Sequence, residues 1–135
     1  RANKVRDMAS SSKAIAPAYA PLKPDFDKST VAGASFDSKR QLYKYDDQYN
    51  DVKMTISQQP LPDNLRSNPD AVAGLAKSIG ANEKVATTNG DAFISTDDKT
   101  ATQRVVVVHR QLLVFIQSSR SMSNSDWVTY IQRLQ

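Results

Sequence analysis

Apolar positions change their spacing along this chain, and the changes mark its elements. Val52, Met54 and Ile56 alternate with Lys53, Thr55 and Ser57, the period-2 pattern of a strand buried on one face. Leu42 to Tyr45 form its antiparallel partner across a polar stretch, 46–51, whose Asp, Gln and Asn residues read as a turn. Residues 31–36 fit a shorter strand before this pair, and Pro60 and Pro62 are expected to end the ladder. Further on, two β-prone runs, 83–88 and 91–95, flank Asn89-Gly90. That dipeptide suits a type I′ turn, because both residues accept positive φ at little steric cost. The runs Val105-Val106-Val107-Val108 and Leu112-Leu113-Val114-Phe115-Ile116 are apolar on both parities, too uniform for a strand with one wet face.

Helical spacing occurs twice. Asn68-Pro69-Asp70 combines a capping residue, a first-turn proline and an acid that complements the helix dipole. Val72, Leu75, Ala76 and Ile79 then share one face, and Gly80 supplies a left-handed stop, so a helix is predicted over 69–79. The second helix starts near Ser123 or Ser125, where Ser123-Asn124-Ser125-Asp126 resembles a capping box with Asp replacing Glu. Its apolar stripe is Trp127, Tyr130, Ile131 and Leu134, with Val128 beside it. The order reads β-β-(β)-α-β-β-β-β-α: an α+β fold with an antiparallel sheet of about six or seven strands and two helices packed mainly on one face.

The double-faced strands pose the question of cover. Two amphipathic helices can seal one face of the sheet, and an apolar patch of more than a few hundred Å² is unusual on a soluble monomer. Burial of both faces by the protein's own chain is one answer. An N-terminal arm, strong curvature, a dimer partner or an apolar ligand are the others. If a partner or ligand surface exists here, Val106, Val108, Leu113 and Phe115 are its candidate lining.

Composition narrows this picture. The 135 residues suit one domain, and the hydrophobic fraction of 39% with a mean hydropathy of −0.53 places part of the chain outside the core. Residues 9–30 hold Ser10-Ser11-Ser12, repeated alanines and Pro17, Pro21 and Pro24, a linker-like composition, within an N-terminal segment 1–30. That segment reads as a partly ordered N-terminal arm, pinned by Ile15, Tyr19, Leu22 and Phe26, ahead of a single α+β domain over 31–135. There is no cysteine, which excludes disulfides, thiolate metal sites and cysteine nucleophiles. No run approaches the ~20 apolar residues of a membrane span. Arg1-Ala2-Asn3-Lys4-Val5-Arg6 fits the basic flank of a membrane anchor upstream of Arg1, and equally an arbitrary boundary.

Candidate chemistry is sparse. His109, the single histidine, stands beside Arg110 at the expected tip of a hairpin, without the carboxylate and nucleophile a general base requires. The acidic pairs Asp46-Asp47 and Asp97-Asp98 lack the oxygen-rich spacing of a calcium site and read as turn residues. Ser10-Ser11-Ser12-Lys13 matches S-x-x-K in form, but lies in the linker without the companion motifs of a hydrolase. No glycine-rich phosphate loop occurs. The net charge of +4 is spread along the chain among acids, unlike the clustered, aromatic-rich footprint of a nucleic-acid surface. An enzyme, a cofactor, a metal and a nucleic-acid partner are therefore not expected.

From Leu42 to Gln135 the order of features resembles the small, uncharacterised extracytoplasmic α+β domains at the C-terminus of single-pass bacterial membrane proteins. The stretches that carry the likeness are TISQQPLP (55–62), NGDAFIS (89–95), VVVVHRQLLVFIQSS (105–119) and SDWVTYIQRLQ (125–135). The resemblance implies export and membrane tethering, and transfers no functional residue. The expected function is a non-enzymatic binding or interaction domain outside the cytoplasm, with a protein partner or self-association. The alternatives are a carrier of an apolar ligand on the open sheet face, or a subunit of a cell-surface or secretion assembly.

Overall fold

The structure is a computed structural model that describes residues 17–135, with Pro69 described by its backbone alone. Seven strands form one antiparallel sheet: β1 (Ser29–Asp37), β2 (Leu42–Tyr49), β3 (Val52–Pro60), β4 (Glu83–Thr87), β5 (Gly90–Thr96), β6 (Gln103–His109) and β7 (Leu112–Ser118). Their spatial order is β1-β2-β3-β7-β6-β5-β4. A one-turn helix α1 (Asp63–Arg66) and helix α2 (Pro69–Ser78) join β3 to β4, and helix α3 (Asn124–Gln132) closes the chain. The fold is α+β, broadly in the order the hydrophobic pattern predicts, with the one-turn helix α1 added before α2.

Parity decides the two faces of the sheet. Tyr43, Tyr45, Asp47 and Tyr49 of β2 lie on the same side as Met54, Ile56 and Gln58 of β3, Val114 and Ile116 of β7, Val105 and Val107 of β6, and Ile94 of β5. All of these are buried. Helix α3 covers this side with Trp127, Tyr130, Ile131 and, just beyond its end, Leu134. Residues 19–26 lie across the rest: Leu22 is buried, Tyr19 packs edge-on against Phe36, and Phe26 stacks on Tyr49 at 5.3 Å. Ile15 lies outside the described residues, as does most of the expected linker.

Three buried polar side chains lock this cover in place. Gln58 imitates an extra strand: its amide accepts from the Leu22 N–H at 2.8 Å and donates to the Leu22 carbonyl at 2.9 Å. Gln103 accepts from the Trp127 indole at 2.8 Å and from the Met122 amide at 2.7 Å, fixing the entry to α3. Asp47 accepts from the Tyr130 hydroxyl at 2.7 Å and the Ser29 hydroxyl at 2.8 Å. Backbone pairing between Lys23 and Gln135, and from Asp25 to Arg133, ties the arm to the chain's last residues.

Four local expectations are corrected. Residues 46–49 are strand, not turn; the turn is Asn50-Asp51, with Asn50 left-handed at φ 53°. The polar composition of 46–49 hid an alternation, since Asp47 and Tyr49 continue the parity of Tyr43 and Tyr45. Pro60 remains in the ladder opposite Leu112, because the neighbouring bond runs from the Leu61 amide to the Gln111 carbonyl and asks no N–H of proline. Asn89-Gly90 does not form a type I′ turn: Gly90 alone has positive φ, +113°, and pairs with Thr87 around Thr88-Asn89. Instead the Asn89 amide donates to the carbonyls of Ile131 and Leu134, capping the end of α3. The two consecutive left-handed residues occur at Arg110-Gln111, φ 54° and 64°, between β6 and β7.

The fourth correction concerns the helices. They do not share a face: α3 lies on the side described above, whereas α2 stands on the other. There Leu75 and Ile79 lie over Val106, Leu113 and Phe115, which have the opposite parity. Ser95, also of that parity, lies 3.5 Å from where a Cβ on Gly80 would stand. The link from β3 to β4 therefore passes over the second face.

Candidate functional site

The second face is only partly covered. Across it runs a row of cross-strand neighbours, Lys84–Phe93–Val106–Phe115–Ser57–Lys44, each paired with the next. The four residues singled out from the sequence, Val106, Val108, Leu113 and Phe115, all point to this side. Val106 is 2% exposed, and the other three are half-buried. Over the central strands sealing is thus complete on the α3 side, where Val31 of the edge strand β1 is left exposed, and incomplete here, because a ten-residue helix spans fewer strands than the arm and α3 cover together.

Between α2 and the sheet lies a cleft of about 290 Å³. Its apolar walls are Leu75 and Ile79 from α2 and Leu42, Val106, Leu113 and Phe115 from the strands; Ser57 and Gln59 supply polar atoms. Val108 lies outside it. No ionisable side chain lines the cleft. One row further along the strands, Ser57 gives way to Thr55, Phe115 to Gln117 and Val106 to Arg104. Here a wider polar groove of about 690 Å³ opens, edged by Thr30, Asp46, Lys53, Thr55, Arg104 and Gln117. Asp46 accepts a hydrogen bond from the Thr55 hydroxyl at 3.2 Å.

The other candidates take structural places. His109 is half-buried at the end of β6, with its pKa lowered by burial and by the Arg110 charge; no side-chain hydrogen bond joins it to another described residue. Asp97 does what a turn aspartate is expected to do, accepting from the amides of Lys99 and Thr100. Asp47, in contrast, is a strand residue buried among tyrosines, and its Oδ1 has no partner among the described residues. Burial, reinforced by the hydrogen bond to Asp47, holds the Tyr130 hydroxyl protonated far above its ordinary range; burial and the Asp47 charge do the same for Tyr45. Among the described residues no group of three or more His, Asp or Glu side chains converges as a metal site would require, and no helix is long and apolar enough to cross a membrane.

Sequence reading missed the inward Asp47, Gln58 and Gln103. Each sits on the apolar parity of its strand, which is the signal that finds it. A polar residue in phase with Tyr43 and Tyr45, with Met54 and Ile56, or with Val105 and Val107 must be buried and must find a partner. In comparisons with known proteins, no protein-family model, no curated protein and no solved structure matches this chain.

Proposed function

We propose that this chain is a non-enzymatic binding domain that engages its partner through the sheet face carrying α2. The observation that carries this reading is the asymmetry of cover. Over the central strands the α3 side is closed by the chain's own arm and last helix, while on the other face Val108, Leu113 and Phe115 stay half-buried, with a polar groove one row beyond Phe115. A half-covered apolar strip rimmed by polar residues is the usual make-up of an interaction surface. On the same reading the domain works outside the cytoplasm, tethered to a membrane; this part rests only on the resemblance of the element order over 42–135 to that of exported domains.

Site-specific photocrosslinking in the native host tests the surface. Probes at positions 113 and 115 of the full gene product are expected to yield a defined adduct, and a probe at Val128, on the α3 side, none. Adducts only from Val128, or only from Val31 on the outer edge strand, would overturn the assignment. The absence of native cysteine makes location testable with Ser38→Cys, placed in the exposed β1–β2 loop. Labelling of intact cells by a membrane-impermeant maleimide supports the extracytoplasmic reading, and labelling only after lysis refutes it.

A second reading, carriage of a small apolar ligand, is favoured by one specific observation. The cleft under α2 is lined by alternate residues of the β6–β7 hairpin, as a ligand-carrying face requires. Its volume is at the lower end for ligand pockets.

A further inference from the structure

Resting on the binding-face reading, we propose that α2 is a hinged cap, held over Val106 by apolar contact alone, whose transient unwinding opens the partner face. The two longer helices are tied down very differently. Helix α3 is fastened by polar side chains: Trp127 to Gln103, Tyr130 to Asp47, and the carbonyls of Ile131 and Leu134 to Asn89. Between Pro62 and Ala81 no hydrogen bond among the described residues reaches a strand. The side-chain bonds of Arg66, Ser67, Asn68 and Ser78 all stay within 61–78. Backbone bonds to the sheet stand only at the two ends, from the Leu61 amide to the Gln111 carbonyl and from the Asn82 amide to the Ile94 carbonyl.

The apolar grip is weak as well. Val72, Leu75 and Ile79 stay half-buried, and among the described side chains of α2 only Ala76 is buried. The 290 Å³ cleft separates Leu75 and Ile79 from the strands, so they miss part of the dispersion contact of a fully packed helix. A ten-residue helix is marginal without such packing. Gly74 weakens it further: a Cβ there would meet nothing within 4 Å, and its φ is not positive, so neither space nor backbone asks for glycine. A segment with little buried apolar surface and no polar ties opens locally, ahead of the whole domain. Buried Leu61 and Leu65 at one end and left-handed Gly80 before Asn82 at the other are its hinges. Opening lays bare Val106, the covered member of the row Phe93–Val106–Phe115.

The chain has no cysteine, so a thiol placed beneath the cap reports its opening. Val105 and Val106 are both buried, on opposite faces of β6. In the 135-residue chain the Val106→Cys thiol is expected to react with iodoacetamide at least about a hundredfold faster than the Val105→Cys thiol, at a rate that low urea barely changes. Adding Gly74→Ala to Val106→Cys should slow the reaction about four- to fivefold, the ratio set by alanine and glycine in a helix interior. Amide exchange in the unsubstituted chain shows that the thiols did not create the motion: 73–78 should exchange ahead of 127–132. Equal reactivity of the two thiols, or equal protection of the two helices, overturns the cap and leaves the binding face, which is read separately from the crosslinks at 113 and 115. Fast reaction that Gly74→Ala does not slow overturns unwinding as its motion. Fast reaction slowed by Gly74→Ala, with no crosslink at either position, upholds the cap and removes its partner.

Discussion

Replacing Gln58 with methionine keeps the length of the side chain and deletes both hydrogen bonds that hold Leu22 to the sheet. The site is fully buried, so water cannot replace them. Two bonds at about 1 kcal/mol net each, plus about 1–2 kcal/mol for stranding the buried Leu22 N–H, give about 3–4 kcal/mol. The Leu22 carbonyl is spared, because the Tyr45 hydroxyl still donates to it at 2.8 Å. Burial of the added apolar surface returns about 1 kcal/mol, leaving a loss of about 2–3 kcal/mol. For a domain of this size that lowers the melting temperature by about 6–15 °C. Differential scanning calorimetry measures the loss, and amide hydrogen exchange locates it: residues 19–26 should exchange faster than β6 and β7. Gln58→Glu should be worse at neutral pH, since it buries a charge and sets a second acceptor against the Leu22 carbonyl. A Gln58→Met protein melting within 2 °C of the parent, with unchanged exchange in the arm, would refute the clamp.

Three further perturbations probe the frame around the site. Gly90→Ala places a methyl 2.8 Å from the Val108 carbonyl at a φ of +113°, and should cost about 2 kcal/mol or more in a chemical denaturation series. Trp127→Phe removes the indole bond to Gln103 and part of a fully buried ring, and should cost about 1.5–3 kcal/mol by the same assay, with α3 losing protection first. Tyr45 and Tyr130 have folded pKa values raised above 10, so the unfolded chain releases their protons first. Their contribution is intact below pH 10 and declines as pH rises above it, at up to about 2.7 kcal/mol per pH unit for the pair. Urea midpoints from pH 8 to 11 should fall only above pH 10, and less steeply in Tyr130→Phe.

Much of this architecture is written in the spacing of side chains. Val52, Met54 and Ile56 reveal a half-buried strand because a pleated backbone alternates its side chains. Asn68-Pro69-Asp70 and Ser123 reveal helix starts because a helix leaves its first N–H groups unpaired; Asn68 and Ser123 do accept from the amides of Asp70 and Asp126. The left-handed pair Arg110-Gln111 carries no such mark. Neither residue favours positive φ, and two-residue closure between registered strands imposes it. The side chosen by α2 was equally hidden, since an apolar stripe says that a helix is buried and not against which face. For the candidate surface, the four residues were legible as apolar on a doubly apolar hairpin. That Val106 is covered while Leu113 and Phe115 stand at the rim depends on where α2 crosses, and this is a tertiary fact.

Solvent paramagnetic relaxation of the hairpin methyls tests the asymmetry most directly, because neighbours in one strand should behave oppositely. With a soluble paramagnetic chelate, Val108 and Leu113 are expected to relax strongly, and Val105, Val107, Val114 and Ile116 to be protected. Uniform protection of both sets, or strong relaxation of the second, would contradict the account of one face closed by the chain itself and one left to a partner.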